Sequence, residues 1–201
     1  MLIENLEQFL TKEIKGVFHI GAHYAEEKNW YNSQNIKNVV WFEANPEYKD
    51  IIKRVVNEDL VIMSAIGNRK QNIILHIANN GQSSSILDLG THLNHHPGVR
   101  YVGDIVVEMD RMSNLVRDFQ LNLENYNFIN LDIQGFELEA LKSFDDLLNG
   151  FDYIYTEVNT GDVYRGCPRM VDIDNYLSQF GFKRITQVIT PFEWGDALYS
   201  K

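Results

Sequence analysis

The sequence predicts an α/β protein built on a seven-stranded, mostly parallel sheet, with an antiparallel strand at one end and helices on both faces. Short apolar runs alternate with segments of helical periodicity along most of the chain, which is typical of parallel strands joined by helical crossovers. The last two apolar runs, 182–189 and 197–200, have a short connection and predict an antiparallel pair. Small or polar residues end the apolar runs, where such sheets bind ligands.

Length and composition restrict the class of protein. A chain of 201 residues can form one substantial core, so we expect a single domain over residues 1–201. A formal charge of −10 repels phosphate backbones and argues against a nucleic-acid partner. Cys167 is the only cysteine, which excludes an internal disulfide. The N-terminus has no apolar run of signal-peptide or membrane-span length, so we expect a cytoplasmic protein without a membrane partner.

Residues 17–46 form the most informative stretch, a strand, turn, helix and second strand. Gly21 ends the first strand, so the turn can bring its backbone and the free N–H groups of the following helix close to a ligand. Glu43 ends the second strand, at the spacing expected for a carboxylate that binds ribose hydroxyls. Ala22 and His23 follow Gly21, so the glycines of a pyrophosphate site are missing. S-adenosylmethionine, which has a ribose but no phosphate, fits this pattern, and so does an α/β protein without such a ligand.

The intervening segments have weaker signals. Apolar residues at helical spacing predict an N-terminal capping helix within residues 1–16 and another helix over 24–34. The third strand, 60–66, contains Ser64 and Ala65, whose small side chains leave space for an adenine ring; a plain buried strand is the alternative. Residues 68–110 form an insertion of two extended segments and a polar loop, 81–98, which we expect to act as a lid or substrate wall.

Acidic residues end the fourth and fifth core strands. Asp132 is the first candidate for a general base, and Glu157 and the loop residue His92 are the second candidates. The alternative for Asp132 is a cap on the following helix. Metal binding by the loop histidines is not favoured, because no acid joins them at ligand spacing, so we predict no metal site.

Six segments together resemble the FkbM family of S-adenosylmethionine-dependent methyltransferases over nearly the entire chain. In order, they are HIGAH, WFEANP, SAIGN, SSSI, LDIQGFELEAL and YTEV. The resemblance implies a Rossmann-like class I methyltransferase fold, S-adenosyl-L-methionine as cofactor, and methylation of a hydroxyl oxygen on a sugar, glycan or other small metabolite. The cofactor contacts that it implies are Gly21, Ala22, His23, Glu43, Ala44, Ser64, Ala65, Asp132 and Gln134.

The chain departs from the family pattern near the methionine end of the expected cofactor site. His19 stands where the family usually has Asp, His23 where it often has Asn, and Ala25 where it has a second glycine. Gln134 replaces an acid. Glu26 or Glu27 could supply the missing charge, or could be solvated helical residues. The departures favour, as an alternative, a binding module that kept the fold without the chemistry; a nicotinamide oxidoreductase is a weaker one, since its glycine pattern is incomplete.

Overall fold

The computed structural model describes residues 2–201, so the first residue of the predicted capping segment, Met1, lies outside the described residues. Ten strands are described: β1 (Val17–Ile20), β2 (Val39–Glu43), β3 (Leu60–Met63), β4 (Ala65–Ile66), β5 (Gln71–Ala78), β6 (Tyr101–Asp110), β7 (Phe128–Leu131), β8 (Tyr153–Asn159), β9 (Lys183–Ile189) and β10 (Trp194–Ser200). Six α-helices accompany them: α1 (Lys28–Ser33), α2 (Lys49–Val56), α3 (His92–His95), α4 (Met112–Asp118), α5 (Glu137–Lys142) and α6 (Met170–Ser178).

The main sheet has seven strands in the order β3-β2-β1-β7-β8-β10-β9. The five strands from β3 to β8 are parallel, so their carboxyl ends lie along one edge of the sheet. Strand β10 runs antiparallel to both β8 and β9. The predicted mostly parallel sheet is therefore confirmed, with the antiparallel strand one place inside the edge and β9 outermost.

Both faces of this sheet are covered, as predicted. Phe18 and Ile20 of β1 contribute to an apolar cluster with α4, α5 and α6, while Val17 contributes to a second cluster with α1 and α2. All four residues of β1 are buried because helices cover both sides of a central parallel strand. None of the helices in residues 2–201 is long and apolar enough to cross a bilayer.

The prediction of an N-terminal capping helix is wrong, because the described residues of this segment do not form an α-helix. Only Leu6–Phe9 form a single 3₁₀ turn, and Asn5 before it has a left-handed backbone with φ 50°. The following N–H groups of Thr11 and Lys12 donate to the Tyr153 hydroxyl instead of to a helical carbonyl. The apolar side chains are nevertheless buried, since Ile3 and Leu6 join the cluster under α1 and α2. The apolar side chains of this segment are therefore buried against the core although its backbone does not form an α-helix.

Two other elements differ in extent from their predictions. The predicted helix 24–34 is restricted to Lys28–Ser33, because residues 22–25 form a turn closed by the Ala25 N–H on the Ala22 carbonyl at 2.6 Å. The predicted third strand divides at Ser64 into β3 of the main sheet and β4 of another. That other sheet, in the order β4-β6-β5, is the predicted insertion, and its two extended segments form the antiparallel pair β5–β6.

A buried polar network lies between β1, β7 and α1. The Tyr31 hydroxyl is 2.8 Å from His19 Nδ1 and accepts a hydrogen bond from Asn130 Nδ2 at 2.7 Å. The His19 ring packs against Trp41, with ring centroids 4.5 Å apart. Burial lowers the pKa of His19 from its ordinary value of 6.5, although the nearby Glu27 opposes the shift. His19 is therefore a neutral core residue on this side of the sheet.

Replacement of His19 should make the free energy of unfolding less sensitive to acid. The unfolded chain binds a proton at this histidine near pH 6.5, whereas the folded chain resists protonation until lower pH. The stability that neutral His19 contributes is complete above pH 6.5 and is lost below it. In urea denaturation, the difference in free energy of unfolding between the parent and His19→Gln should narrow from about pH 7.5 to about pH 5. A constant difference would contradict a depressed pKa, since other groups titrate equally in both proteins.

Candidate active site

The turn after β1 brings two strand ends into close contact. Gly21 has φ 90°, and a Cβ atom built on it would lie 1.8 Å from the backbone oxygen of Asp132, the residue that follows β7. The Asp132 N–H in turn donates to the Ile20 carbonyl at 3.0 Å. Only glycine has both the conformation and the space for this position. The close approach expected at Gly21 is thus to the neighbouring strand, and it fixes Asp132 beside the first turn.

This turn does not present free N–H groups, contrary to the prediction. The N–H groups of Gly21 and Ala22 both donate to the Phe42 carbonyl, and α1 begins only at Lys28. Ala22 is buried in the apolar cluster and lines neither cavity described below, so its predicted cofactor contact is not supported by its position. Ala25 has φ 58°, so this alanine adopts the left-handed conformation that the family's glycine allows.

Glu43 ends β2 and organises the adjacent loop. Its Oε2 accepts the His23 N–H at 2.8 Å and its Oε1 accepts the Asn45 N–H at 2.7 Å. Burial raises the pKa of Glu43, and these backbone hydrogen bonds oppose the shift. Each carboxylate oxygen accepts one protein hydrogen bond and has a further lone pair for a ligand. The side chain is therefore held in place at the edge of a cavity.

The first cavity is a narrow slot of about 80 Å³ between the main sheet and the inserted sheet. Its walls are mainly apolar, formed by Ile20, Phe42, Ala65, Ile66, Leu75, Ile86 and Ile133. Its polar lining includes Glu43, Asn45, Tyr48, Ser64, Gln82 and Ser84. The Ser64 hydroxyl donates to the Ala65 carbonyl at 2.9 Å, so its hydrogen is already used in a hydrogen bond to the backbone. An apolar slot with a carboxylate at one end suits a flat ring joined to a hydroxylated group.

The second cavity is larger, about 430 Å³, and adjoins the first. The two cavities share Gly21, His23, Gln82, Asp132 and Gln134. Its further lining includes His19, Glu26, Glu27, Ser83, His92, His96, Tyr155, Glu157, Tyr164, Trp194 and Asp196. No lysine or arginine lines it among residues 2–201, so carboxylates and histidines determine its charge. Asp132 is one of the shared residues and therefore lies at the passage between the two cavities.

Three carboxylates converge at this passage, from the end of β7, the start of α5 and β8. One oxygen each of Asp132, Glu137 and Glu157 lies within 4.8 Å of the others. Burial, followed by the nearby charge of Asp196, raises the pKa of Asp132 to about 6. Burial raises the pKa of Glu137 to about 7, and burial together with the neighbouring carboxylates raises that of Glu157 well above its ordinary range. Asp132 is accessible to solvent from the cavities that it lines, and surrounding protein atoms still desolvate its carboxyl group; Glu137 and Glu157 are buried.

Gln134 connects two of these carboxylates. Its Nε2 donates to Asp132 Oδ1 at 2.6 Å and to Glu157 Oε2 at 2.9 Å, and its Oε1 accepts from the Tyr164 hydroxyl. An acid here, as in the family pattern, would add a fourth carboxyl to the group. The amide reduces that repulsion because it donates to both neighbours. The departure at Gln134 is therefore compatible with an ordered site.

Glu137, which the sequence analysis did not identify as a site residue, is the residue that closes the turn. Its Oε1 accepts the N–H groups of Ile133 and Gly135, at 3.1 and 3.0 Å. Asp132 accepts its side-chain hydrogen bond from Gln134, so the alternative interpretation of Asp132 as a helix cap does not hold. An acid two residues after the turn glycine is the signal that could have identified Glu137.

The polar loop 81–98 forms a wall of both cavities. Gln82 lines both cavities, whereas Ser83 and, from α3 in the second half of the loop, His92 line the second. The loop is anchored, because the Ser85 hydroxyl donates to the Gln134 carbonyl at 2.7 Å and the Gly90 N–H donates to the Val163 carbonyl at 2.9 Å. Burial lowers the pKa of His92, whose Nε2 lies 3.3 Å from the Ser83 hydroxyl.

The structure thus brings most of the predicted site residues together. Gly21, His23, Glu43, Ala44, Ser64, Ala65, Asp132 and Gln134 line the first cavity, and Asp132, Glu157 and His92 line the second. Glu26, one of the two acids expected near the cofactor's amino group, binds His23 Nδ1 at 2.7 Å. Tyr48, which also lines the first cavity, was not identified from the sequence.

The strand order and the ligand-sized cavities at the carboxyl ends of the strands define an α/β fold of the methyltransferase type. The Methyltransferase FkbM domain matches residues 19–184, and the chain belongs to this family. The 2-O-methyltransferase NoeI of Sinorhizobium fredii (strain NBRC 101917 / NGR234) is 28% identical over 109 residues. That alignment covers 51% of this chain and 44% of the relative, so the chain matches less than half of that protein's length.

Solved structures share the fold at low sequence identity. A protein of the NADB-Rossmann superfamily from Streptococcus agalactiae has a TM-score of 0.56 at 11% identity, over 100% of this chain and 68% of that one. The ribosomal protein L11 methylase of Lactobacillus delbrueckii subsp. bulgaricus has a TM-score of 0.53 at 12% identity, over 98% and 74%. M. capricolum TrmK, solved with S-adenosyl-homocysteine, has a TM-score of 0.50 at 10% identity, over 100% and 69%.

A methyl group on Gly21 should disrupt the junction of β1 and β7. In Gly21→Ala, the new Cβ atom overlaps the Asp132 backbone oxygen and the residue must keep φ 90°. We expect a loss of at least about 3 kcal/mol in the free energy of unfolding, measured by urea denaturation. Gly98→Ala is the matched control, since no heavy atom lies within 4 Å of a Cβ atom built there. Equal stability of the two variants would contradict the described contact.

Proposed function

We propose that the protein is an S-adenosyl-L-methionine-dependent O-methyltransferase that acts on a hydroxyl group of a sugar, a glycan or another small metabolite. The observation that carries the proposal is the adjacency of two cavities that share Asp132 in their lining. One cavity has the apolar walls and the strand-end carboxylate that suit an adenosyl group. The other has room and polar lining for an acceptor. Membership of the FkbM methyltransferase family supports the reaction class.

The residues of the first cavity fit the cofactor. Glu43 has a lone pair on each oxygen for the ribose hydroxyls, and its position is fixed by the backbone of His23 and Asn45. Ala65 and Ile133 offer small and apolar surface for the adenine ring. Beyond Gly21, the carboxylates of the second cavity favour the positive charges of the sulfonium and amino groups.

When bound, S-adenosylmethionine supplies an electrophilic methyl carbon: the acceptor oxygen bonds to it, the carbon–sulfur electron pair stays on sulfur, and the hydroxyl proton goes to a base. Asp132 is the proposed base, because its carboxyl group is open to the cavity at the passage between the two ligand sites. Gln134 orients this carboxylate through its 2.6 Å hydrogen bond. Glu157 is buried, and burial and the neighbouring carboxylates raise its pKa, so it is less accessible to an acceptor and is the less suitable base.

The lining of the second cavity supports the proposed acceptor class. Five carboxylates line it, those of Glu26, Glu27, Asp132, Glu157 and Asp196. Phosphorylated and other anionic acceptors are repelled by such a lining, whereas neutral polyols can bind the carboxylates and His92 through their hydroxyls. The name of the relative NoeI, a 2-O-methyltransferase, supports oxygen as the methylated atom. A nucleic-acid acceptor is therefore disfavoured, and a glycan or small polyol is the proposed partner.

A binding experiment distinguishes the proposed enzyme from the alternative, a binding module that has the fold but does not catalyse methyl transfer. Isothermal titration calorimetry with S-adenosylmethionine, S-adenosylhomocysteine and NAD should show binding of the first two and not of NAD, since no glycine-rich phosphate turn is present. Transfer of labelled methyl from S-adenosylmethionine to a panel of neutral oligosaccharides then tests the reaction. Cofactor binding without transfer to any hydroxylated acceptor would favour the binding module.

Removal of the Glu43 charge should weaken cofactor binding. Hydrogen bonds to a charged acceptor contribute about 1 kcal/mol more than neutral ones, so Glu43→Gln should raise the Kd for S-adenosylmethionine about tenfold. Glu47→Gln is the matched control, because Glu47 is exposed on the loop after β2. The measurement is calorimetric titration of each folded variant. An unchanged Kd in Glu43→Gln would remove Glu43 from the cofactor site.

Removal of the Asp132 charge should affect turnover more than cofactor binding. A general base contributes roughly 10² to 10⁴ in rate, so Asp132→Asn should lose at least about a hundredfold in kcat. The Kd for S-adenosylmethionine should stay within a few fold of the parent value. Asp50→Asn, on the exposed side of α2, is the control for charge removal. A larger change in Kd than in kcat would make Asp132 a cofactor ligand instead of the base.

A further inference from the structure

Of the three converging carboxylates, the proposed methyl transfer uses only one, that of Asp132. Asp132, Glu137 and Glu157 come from three different elements, and one oxygen of each lies within 4.8 Å of the others. No lysine or arginine forms an ion pair with any of them in the part of the chain that the structure describes. Within residues 2–201, no ion pair with lysine or arginine therefore offsets the mutual repulsion of the three carboxylates.

Two buried oxygens in this group have no hydrogen-bond partner among the described residues, 2–201. Glu157 is 4% exposed and its Oε1 lacks a partner, although the residue lines the second cavity. Glu137 is fully buried, and its Oε2 also lacks one, while its Oε1 accepts two backbone N–H groups. A buried carboxylate oxygen without a donor is costly, so each of these atoms indicates a missing positive or hydrogen-donating group.

We propose that a divalent cation of the oxygen-binding class occupies this site, held by Asp132, Glu137 and Glu157. Carboxylate oxygens without histidine or cysteine select Ca²⁺, Mg²⁺ or Mn²⁺ over softer metals. Ca²⁺–oxygen bonds are about 2.3–2.6 Å long, so two oxygens on one Ca²⁺ are at most about 4.6–5.2 Å apart; for Mg²⁺ the limit is about 4.2 Å. The oxygens as placed suit Ca²⁺, and a small contraction suits the smaller ions.

Gln134 can supply a fourth ligand without a change of shape. Rotating its amide by half a turn exchanges Nε2 and Oε1, which have nearly the same size. Oε1 then faces Asp132 and Glu157, and Nε2 faces the Tyr164 hydroxyl, which can accept a hydrogen bond as well as donate one. The amide therefore fits both the metal-free and the metal-bound group.

The site has an open side. Asp132 is exposed to the second cavity, so a cation bound to it can take a water molecule or an acceptor hydroxyl as a further ligand. This role rests on the proposed methyl transfer, because a cation that holds the acceptor oxygen would lower the pKa of its hydroxyl group. Binding of the cation itself does not depend on the cofactor or the acceptor.

The test is calorimetric titration of chelator-treated protein with CaCl₂, MgCl₂ and MnCl₂ separately, in the absence of cofactor and acceptor. We expect one cation per chain with a Kd of about 10⁻³ M or tighter. Glu157→Gln should weaken it at least about tenfold, because one of three charged ligands becomes neutral. Glu139→Gln, on the same stretch of α5 and paired with Lys142, is the matched control and should bind as the parent does.

Asp132→Asn is the second variant if Glu157→Gln fails to fold, since its side chain is already exposed in the cavity. Absence of binding for all three cations, or equal affinity in the ligand variants and the control, would overturn the proposal. Equal affinity would place the cation elsewhere on this acidic protein. A failure to bind S-adenosylmethionine would overturn the proposed function alone, because the titration with cations does not involve it.

Discussion

The contact between Gly21 and the Asp132 backbone is the constraint on which the site depends. It joins the carboxyl ends of β1 and β7, the two central strands, so closely that no side chain fits between them. The Asp132 carboxylate is thereby placed at the passage between the two cavities. A wider separation of the two strands would move Asp132 away from the cavities that it lines and leave its carboxylate without a fixed position. The pairing of β1 with β7 therefore also determines the geometry of the site.

The carboxylates around this junction show a conflict between stability and function. Asp132, Glu137 and Glu157 have raised pKa values, mainly because of burial, so the folded chain holds their charges less readily than water does. Glu137 has a structural reason to be there, since it accepts two N–H groups of the turn. Glu157 has none of that kind, and Gln134 is its partner from a neighbouring element. Acids retained under such conditions are typical of ligand sites.

The inserted sheet explains how an ordinary α/β core becomes an enclosed site. Residues of β4 and β5 line the first cavity together with the carboxyl ends of β1 and β2, and the loop between β5 and β6 is hydrogen-bonded to Gln134 and to the segment after β8. Some of the polar groups that predicted a lid therefore form these hydrogen bonds instead of facing the cavities. Ser85 holds the loop down, whereas Gln82 and His92 remain on the cavity walls.

The sequence by itself determined the succession of strands along the chain, the two covered faces and the acids at the strand ends, because apolar runs and their polar ends are local patterns. The order of the strands within the sheet came only from the tertiary structure. It did not determine the conformation of residues 2–16, where burial against Tyr153 and the core outweighs helical periodicity. It also could not show that the N–H groups of Gly21 and Ala22 are occupied by Phe42, or that Glu137 lies beside Asp132 and Glu157. These are contacts between residues distant in the chain, and only the packing of the strands decides them.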